Sequence, residues 1–582
     1  GDRHGVSEIL NNLGLIYANL GEYDRALDAY RQSIAIKTEL KDLDGTLSTY
    51  SNMANLYFDT GNYRLALEYY EHVLDGWRKS VEPDRDGIAK ALHNIAGVHL
   101  AQRNPELALD YLQKSLKIHQ ELEDKAGLAE SYIYLADAAD QMGNHASALR
   151  YEFQALDIRK QLKLPAGIGI CYDDIGTTYQ AMGDLAKALE YYRAAVDQFH
   201  AVGNKAWESM ALAHIASVTL ARNDPRQALS IAAQALATAP DGYGDTVRVA
   251  HHTAGQAESA LGHFDEAAAH FRQSIDSIEA VRDTLAGGEE ERARYFEDKV
   301  ETYASMVGLQ VDRGRLESAL AFAERARGRV LLDILSSAHQ PVTKSLTPAE
   351  RDQERRLNVE LASWNSQLAR ERERPRPDRL RIAAFEASRE TVRHGIEAFQ
   401  TRVDAIHPEL AVQRGRLPSF DLDKAGALLA TPRSAFLEYV VGEKRTLLFV
   451  LRRQDRLRLT AHVIPIGEEA LRRRVAAFRR KIDARALDFR DDARQLYDAI
   501  IAPARADLTG VDNLTLMPDA GLWDLPFQAL LDPSRRYLLE QVSISYAPSI
   551  TVLGQMMQSA RNAAPADYAG TLLALGNPRM SN

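Results

Sequence analysis

The chain has 582 residues, 45% of them hydrophobic, and a formal net charge of −10 at pH 7. This length and apolar content predict more than one domain, and no apolar run is long enough for a membrane span. The single cysteine, Cys171, excludes a disulfide scaffold and favours a reducing compartment, so we expect a cytoplasmic location.

Charge is distributed unevenly along the chain. The first 340 residues hold 34 basic and 50 acidic side chains, whereas the remainder holds 37 and 31. A nucleic-acid-binding protein concentrates basic residues in one patch, and the Arg-rich stretch 370–381 is the candidate here. A solvated linker around Pro375 and Pro377 explains that stretch equally simply, so we expect no nucleic-acid partner.

A block that recurs about every 40 residues organises the first half of the chain. Each block has a large residue, then a small one, and in several blocks an aromatic residue three positions further on. The small residues are Gly14, Ala54, Ala96, Ala136, Gly176 and Ala216. Self-similarity of this period indicates a solenoid of helical repeats.

A turn and a second helix follow each block. The turn carries a glycine, the residue that best adopts the left-handed conformation at a helix end, at Gly21, Gly61, Gly143, Gly183 and Gly262. The second helix has a small residue where the two helices cross, at Ala26, Ala66, Ala108, Ala148, Ala188, Ala228 and Ala267. Four positions on, several repeats have a bulky residue, at Tyr30, Tyr70, Tyr192 and Phe271. In the third and sixth repeats, Asn104-Pro105 and Asp224-Pro225 replace the glycine turn, and proline suits the start of a helix.

This pattern resembles the tetratricopeptide repeat, in the long form seen in kinesin light chains. The resemblance covers about 1–335, or roughly eight repeats. It implies an α-solenoid that holds a protein or peptide in its concave groove. Residues 2–5 align with the inter-repeat junction 42–45, so we expect the true N-terminus to precede Gly1.

A row of asparagines is the candidate binding feature of the repeats. Asn12, Asn52 and Asn94 each precede the small residue of their repeat by two positions, and Asp174 occupies the same position later. An asparagine side chain offers both a donor and an acceptor to an extended peptide backbone, and tetratricopeptide families use this position for peptides. The alternative is a solvated polar residue that is simply tolerated there.

The pattern changes after the repeats. Residues 336–417 are expected to form a helical linker, with two polar helices at 349–373 and 378–406. The segment 418–582 alternates strands and helices, which predicts an α/β domain. Its expected strands are 435–441 and 446–451, joined as a hairpin, then 459–466, 513–517, 542–546 and 572–575. Its expected helices are 468–484 and 490–503.

One motif in this domain is distinctive. A strand is followed by a Pro-Asp-x-x-Leu-Trp turn at 518–523, by Leu-Pro-Phe-x-Ala-Leu at 525–530 and by Ser-Tyr-Ala-Pro-Ser at 545–549. This order resembles the N-terminal half of a CHAT domain, a caspase- and separase-like family that commonly follows tetratricopeptide repeats. The expected fold is therefore an α-solenoid, a helical linker and a partial α/β caspase-like domain.

The resemblance implies a cysteine endopeptidase with a His–Cys dyad at the ends of two strands. Those strands follow the Leu-Gly-Asn-Pro segment at 575–578, so we expect both catalytic residues beyond Asn582 and assign none in this chain. Cys171 lies at helical spacing within a repeat and is expected to be a buried, inert thiol. Two hypotheses remain: a repeat array that controls a peptidase, or a non-catalytic scaffold with a CHAT pseudo-domain.

Other candidate residues have structural alternatives. Asp519 and Asp524 flank Trp523 and are either a carboxylate pair or a turn in which Asp caps backbone N–H groups. Trp523, Pro526 and Phe527 either pack the sheet core or line a substrate cleft. The histidines His251, His252, His263 and His270 lack a cysteine or carboxylate pair at ligand spacing. We expect no metal and no cofactor.

Overall fold

A computed structural model describes residues 2–19, 23–59, 62–80, 83–240, 244–284, 299–337, 347–373, 378–406, 420–486 and 488–562. By their contacts, the residues fall into two compact units. The first comprises 1–292 with 346–401, and the second comprises 293–345 with 402–582. The domain boundaries expected at 335 and 417 stay predictions.

The first unit is built from antiparallel helices, each of which packs against the next along the chain. The first eleven helices have 17 residues each, which confirms the regular period. In order they are α1 Arg3–Asn19, α2 Tyr23–Glu39, α3 Leu43–Asp59, α4 Tyr63–Lys79, α5 Arg85–Ala101, α6 Pro105–Glu121, α7 Lys125–Gln141, α8 His145–Gln161, α9 Pro165–Ala181, α10 Leu185–Ala201, α11 Lys205–Ala221, α12 Pro225–Thr238, α13 Gly244–Leu261 and α14 Phe264–Thr284.

Close packing of small and bulky residues explains the repeat. The small residues of the second helices, from Ala26 to Ala267, are completely buried. The bulky side chains at Tyr30, Tyr70, Tyr192 and Phe271 are at most 2% exposed. A Cβ atom on Gly176 would lie 2.7 Å from the Tyr192 ring, so only glycine fits under that ring. The sequence pattern therefore marks residues that must be small because a neighbouring helix lies against them.

We expect Gly176→Val to lower the free energy of unfolding of the repeats by about 1–3 kcal/mol, because the added carbons overlap Tyr192. Thermal unfolding measures the change. Gly97→Ala is the matched control, because its Cβ would meet one tyrosine carbon at 3.1 Å and alanine favours the helix. Equal stability of Gly176→Val and wild type would contradict this view of the packing.

The turns between paired helices place either a glycine or another residue in the left-handed conformation. Gly143 has φ of +73°, and Gly183 and Gly262 are also left-handed, as predicted. Where the glycine is missing, Arg103 and Asn223 adopt the left-handed conformation instead, with φ of +57° and +65°. The prolines that follow begin α6 and α12, as expected. Gly21 and Gly61 lie outside the described residues.

The segment expected to be a helical linker forms two long helices, and most of their residues belong to the first unit. They are α17, Pro348–Glu373, and α18, Arg379–Ile406, close to the expected bounds. Helix α17 contacts both α2 and α14, which belong to the first and the seventh helix pairs. The linker therefore reaches both ends of this stretch of repeats.

The second unit combines a helix pair with an α/β domain. Its helices are α15 Val300–Asp312, α16 Leu316–Ser337, α19 Leu422–Ala427, α20 Glu468–Asp483, α21 Phe489–Ile500 and α22 Ile550–Asn562. Its strands are β1 Ser434–Val441, β2 Thr446–Arg453, β3 Leu457–Ile464, β4 Asn513–Met517 and β5 Ser543–Tyr546. These bounds confirm the predicted hairpin, the third strand and the strands near 513 and 543. The strand expected at 572–575 lies outside the described residues.

The sheet has the order β3-β2-β1-β4-β5. The β1–β2 and β2–β3 pairs are antiparallel, whereas β1–β4 and β4–β5 are parallel. Alternate residues of β1 face opposite sides. Leu437 and Tyr439 join a core with α20 and α21, and Phe436 and Val440 join a core with α15, α16 and α22. The sheet is covered on both faces, as parallel strands require.

Candidate functional site

A cavity lies at the carboxyl ends of the parallel strands β1, β4 and β5. Strand ends and the loops after them supply one wall, and α15 and α16 supply the other. The lining residues include Val440, Val441, Pro518, Asp519, Trp523 and Pro548 from the sheet side, and Tyr303, Val307, Ala323 and Arg327 from the helices. Ligands of α/β proteins bind at this edge of the sheet, so the cavity is the candidate site of the second unit.

Arg327 of α16 is the polar centre of this site. Its guanidinium donates to the carbonyl oxygens of Tyr439 at the end of β1, of Met517 at the end of β4 and of Pro548 after β5. The distance to the Pro548 oxygen is 2.9 Å. Arg327 is 9% exposed, so these contacts occur away from water, where they contribute most. One side chain thereby fixes three strand ends relative to α16.

Two buried glutamates accompany Arg327. Glu438 of β1 is 1% exposed, and its Oε1 lies 3.2 Å from Arg327 Nε. Burial and the neighbouring Glu324 raise the pKa of Glu438 well above its usual range. Glu324 accepts from the Ile550 and Thr551 backbone N–H groups at 2.8 Å each, which caps α22. The site thus has an arginine, a buried carboxyl with a raised pKa and a capping carboxyl side by side.

The predicted residues of the motif separate into three roles. Asp519 accepts from the Val441 backbone N–H at 2.7 Å, which agrees with the turn-capping alternative. Asp524 contacts Arg479 of α20 instead, so the two carboxyls have different partners. Phe527 is completely buried beside Tyr439, as predicted for a core residue, and Pro526 is half-buried.

Trp523 does not pack into the core, which was the first of the two alternatives for this residue. Its side chain is 46% exposed and lines the cavity. The reason is the short 3₁₀ turn Ala520–Asp524, which buries Leu522 and leaves the next side chain outside. This position agrees with the cleft alternative.

The sequence analysis missed Arg327, Glu324 and Glu438. A usable signal was present for Glu438, because it is the one charged residue in an otherwise apolar strand. Arg327 had no such signal, because α16 carries several arginines and only the fold distinguishes the buried Arg327 from the exposed Arg325.

In the first unit, two of the predicted asparagines, Asn52 and Asn94, each pair with another asparagine on the preceding first helix. Asn52 donates to Asn11 at 3.0 Å, and Asn94 donates to Asn55 at 3.5 Å. Asn12 is exposed and Asp174 is half-buried. These side chains link each first helix to the preceding one, and whether they bind peptide stays a prediction.

Five carboxyl side chains cluster on neighbouring helices of the fourth and fifth repeats. They are Asp137 and Asp140 of α7, Glu152 of α8, and Asp173 and Asp174 of α9. The Thr178 hydroxyl lies 2.7 Å from Glu152 and 3.2 Å from Asp140, which joins two of them. Burial, with repulsion from Asp173 and Glu152, raises the pKa of Asp174 to about 8. Burial also raises the pKa of Glu152 to about 7.

These raised pKa values predict a pH-dependent stability. A carboxyl whose pKa is higher in the folded state stabilises the fold while protonated, and this contribution is lost as pH rises through the folded pKa. We expect wild type to lose stability from pH 5.5 to 8, and Glu152→Gln to lose about 1–2 kcal/mol less over that range. Thermal unfolding at several pH values measures it. Glu190→Gln, at an exposed position of α10, is the control, and parallel pH curves for all three proteins would contradict the prediction.

The structure also places the remaining sequence candidates. Cys171 is 1% exposed, and burial raises the pKa of its thiol to about 11. His251 and His270 face each other, with 3.0 Å between their Nδ1 atoms, and His263 contacts Glu258. In the described part of the chain, only Asp86, His119 and Asp124 bring three potential metal ligands within 4.8 Å of one another, and Lys90 lies 2.6 Å from Asp86. No helix among the described residues is both long and apolar enough to cross a membrane.

Comparisons with known families match both parts of the chain. One family model of the tetratricopeptide repeat matches residues 45–120, 87–161 and 170–241, and another matches 7–37. The model of the CHAT domain matches residues 490–582. The CHAT match includes the Pro-Asp-x-x-Leu-Trp turn, in which Trp523 is the last residue.

Individual relatives and solved structures match parts of the chain. Protein KINESIN LIGHT CHAIN-RELATED 1 of Arabidopsis thaliana is 32% identical over 130 residues, which is 22% of this chain and about a fifth (21%) of that protein. BtubC from P. vanneervenii is 19% identical and covers 37% of this chain and 90% of its own, with a TM-score of 0.34. A Rap protein complexed with Competence and Sporulation Factor is 15% identical and covers 56% of this chain and 98% of its own, with a TM-score of 0.39. The family models thus show that the chain combines tetratricopeptide repeats with a CHAT domain.

Proposed function

We propose that the repeat array binds a protein or peptide partner and thereby controls a caspase-like cysteine endopeptidase, to which the CHAT domain contributes. The observation that carries this proposal is the position of Arg327. It lies on α16, which follows the repeats in the sequence, and it binds the ends of β1 and β4 and the loop after β5. A displacement of α16 would therefore alter the edge of the sheet at which ligands of α/β proteins bind.

The linker supplies a second route for control. Helix α17 contacts α2 and α14, so it is sensitive to any partner that changes the spacing of the repeats. An activating partner must bind the open state more tightly than the closed state, because equal affinity shifts no equilibrium. The proposed mechanism is a shift between two arrangements of the strand ends, driven by that difference in affinity.

The chemical step rests on the family resemblance. A histidine would take the thiol proton of a cysteine, the thiolate would attack the peptide carbonyl, and backbone N–H groups would hold the oxyanion. Within this chain we assign no catalytic residue. Trp523 and the apolar residues around it would contact the substrate at the cavity.

A second candidate function is a non-catalytic interaction scaffold. The observation that favours it is the extent of the repeats, whose family models match residues 7–37, 45–120, 87–161 and 170–241, because stacked repeats form an extended concave surface that holds partners. In this alternative, the cavity at the strand ends would bind a segment of a partner without cleaving it.

Analysis of new protein N-termini separates the two functions. The complete gene product would be incubated with extract of its source cells, before and after treatment with iodoacetamide. The peptidase proposal predicts new N-termini that disappear after alkylation. The same set of N-termini with and without the protein would favour the scaffold. Cys171→Ser is the control and should behave as wild type, because its thiol is buried.

The role of the asparagines has its own test. Once a partner is known, we expect Asn52→Ala together with Asn94→Ala to weaken its binding at least tenfold, because the peptide backbone would lose two amide partners. Gln113→Ala, at an exposed position of the second helix α6, is the matched control. Unchanged partner affinity in the double variant would remove the asparagines from the binding surface.

A further inference from the structure

We propose that the five carboxyl side chains of α7, α8 and α9 form a pocket for one cationic side chain, lysine or arginine, of a peptide bound to the repeats. This inference rests on the proposed peptide-binding function and specifies the class of peptide. The pocket comprises Asp137, Asp140, Glu152, Asp173 and Asp174, defined above as the carboxyl cluster.

Glu152 is the residue that packing does not explain. The equivalent positions in the first, second and fifth repeats are Tyr30, Tyr70 and Tyr192, each buried against the small residue of the first helix. In the fourth repeat an acid occupies this apolar position and is 5% exposed. Burial of a carboxyl costs free energy that a tyrosine would not cost, so its presence points to a ligand rather than to the fold.

One oxygen of Glu152 is available for such a ligand. Its Oε1 lies 2.7 Å from the Thr178 hydroxyl, whereas its Oε2 is buried and has no hydrogen-bond partner among the described residues. Asp174 likewise makes no ion pair within the described chain. A buried acceptor without a partner is costly, and a cation with several N–H groups would satisfy it.

The charges around the cluster leave it acidic. His145 lies 2.8 Å from Asp140, and His214 lies 3.1 Å from Asp173. Arg159 is directed to the Gly167 carbonyl oxygen and to Cys171. Arg103, before α6, is the basic group that acts on Asp137. Two histidines and two arginines thus face five carboxyls. This imbalance agrees with the acidic excess of the first 340 residues, which would attract a basic peptide.

The spacing of the carboxyls favours an organic cation over a metal ion. No three carboxyls of the cluster bring ligand atoms within 4.8 Å of one another, since the described residues do so only at Asp86, His119 and Asp124. A metal ion needs convergent oxygens, whereas a guanidinium or ammonium group at the end of a long side chain donates in several directions.

Protonation gives the pocket a characteristic pH dependence. The charged and titratable groups that face it are listed here by element: Arg103 before α6, Tyr134, Asp137 and Asp140 of α7, His145, Glu152 and Arg159 of α8, Cys171, Asp173 and Asp174 of α9, Tyr192 of α10 and His214 of α11. Burial raises the pKa of Asp137 as well as those of Glu152 and Asp174. A bound cation favours the ionised carboxyls, so binding should release protons and tighten as pH rises from 6 to 8.

A peptide-display selection tests the proposal on the full chain. A random library of 12-residue peptides would be selected at pH 7.5 against wild type and three variants. Glu152→Tyr introduces the tyrosine of the first, second and fifth repeats, and Asp174→Asn removes one ionisable carboxyl. Asp157→Asn, at an exposed position of α8, is the control. Far-ultraviolet circular dichroism checks that each variant is folded.

The expected result is enrichment of lysine or arginine at one peptide position with wild type and Asp157→Asn, and its loss with the other two variants. Replacing that residue by norleucine or citrulline should weaken binding to wild type at least tenfold and to Asp174→Asn less than threefold. Two results would overturn the cationic pocket and leave peptide binding intact. One is selected peptides that bind but share no basic position, and the other is an affinity for the peptide that decreases as pH rises from 6 to 8. Selection of no peptide at all would overturn both.

Discussion

Arg327→Met is expected to lower the free energy of unfolding of the second unit by about 3–5 kcal/mol. The substitution keeps most of the apolar stem but removes every donor of the guanidinium. Three backbone carbonyls, of Tyr439, Met517 and Pro548, would then lose a partner at a buried site. Glu438 would lose its ion pair as well.

Hydrogen–deuterium exchange measures this effect where it occurs, because a protein with two compact units need not unfold in one step. Backbone amides of β1 and β4 should exchange faster by two to three orders of magnitude. Arg315→Met, at an exposed position directly before α16, is the matched control and should leave these amides unchanged. If Arg327→Met changes their exchange no more than the control does, the arginine does not hold the strand ends.

Phe527→Ala should cost about 3–5 kcal/mol in the same unit, because it leaves a cavity in a fully packed core. The Phe527 ring lies between Tyr439 and Tyr546, with ring centroids 5.8 and 6.3 Å away. Exchange of the β1 and β5 amides, or loss of the folded protein in urea, measures the change.

Trp523→Ala is the companion variant from the same motif. Because its side chain is 46% exposed, its removal should change stability by less than about 1 kcal/mol. Should the two variants be equally unstable, Trp523 would be a structural residue and its place in the cavity would carry no functional meaning. Should Phe527→Ala be as stable as wild type, the motif would not be a core element.

The repeats were predictable because their constraint is local and recurs. Ala26, Ala66 and the later members of that series are small for one reason, the close approach of two helices adjacent in sequence. Each repeat thus confirms the next. The strands of the second unit were predictable for a related reason, because β1 and β2 are apolar along nearly their whole length.

The site of the second unit was predictable only in part. Asp519, Trp523 and Phe527 belong to one short motif, but their roles differ because a single 3₁₀ turn exposes one aromatic ring and the following turn buries the next. Arg327 meets Tyr439 and Met517 only after the sheet has formed. Such a contact between distant segments leaves no periodic trace in the sequence.

The most direct test of partner control is the cleavage rate of the complete gene product with and without its partner. The proposal predicts that saturating partner raises the rate at least tenfold, and that iodoacetamide abolishes cleavage in both cases. A rate that is the same with and without bound partner would contradict control by the repeats. Partner binding without any cleavage would assign the protein to the scaffold alternative.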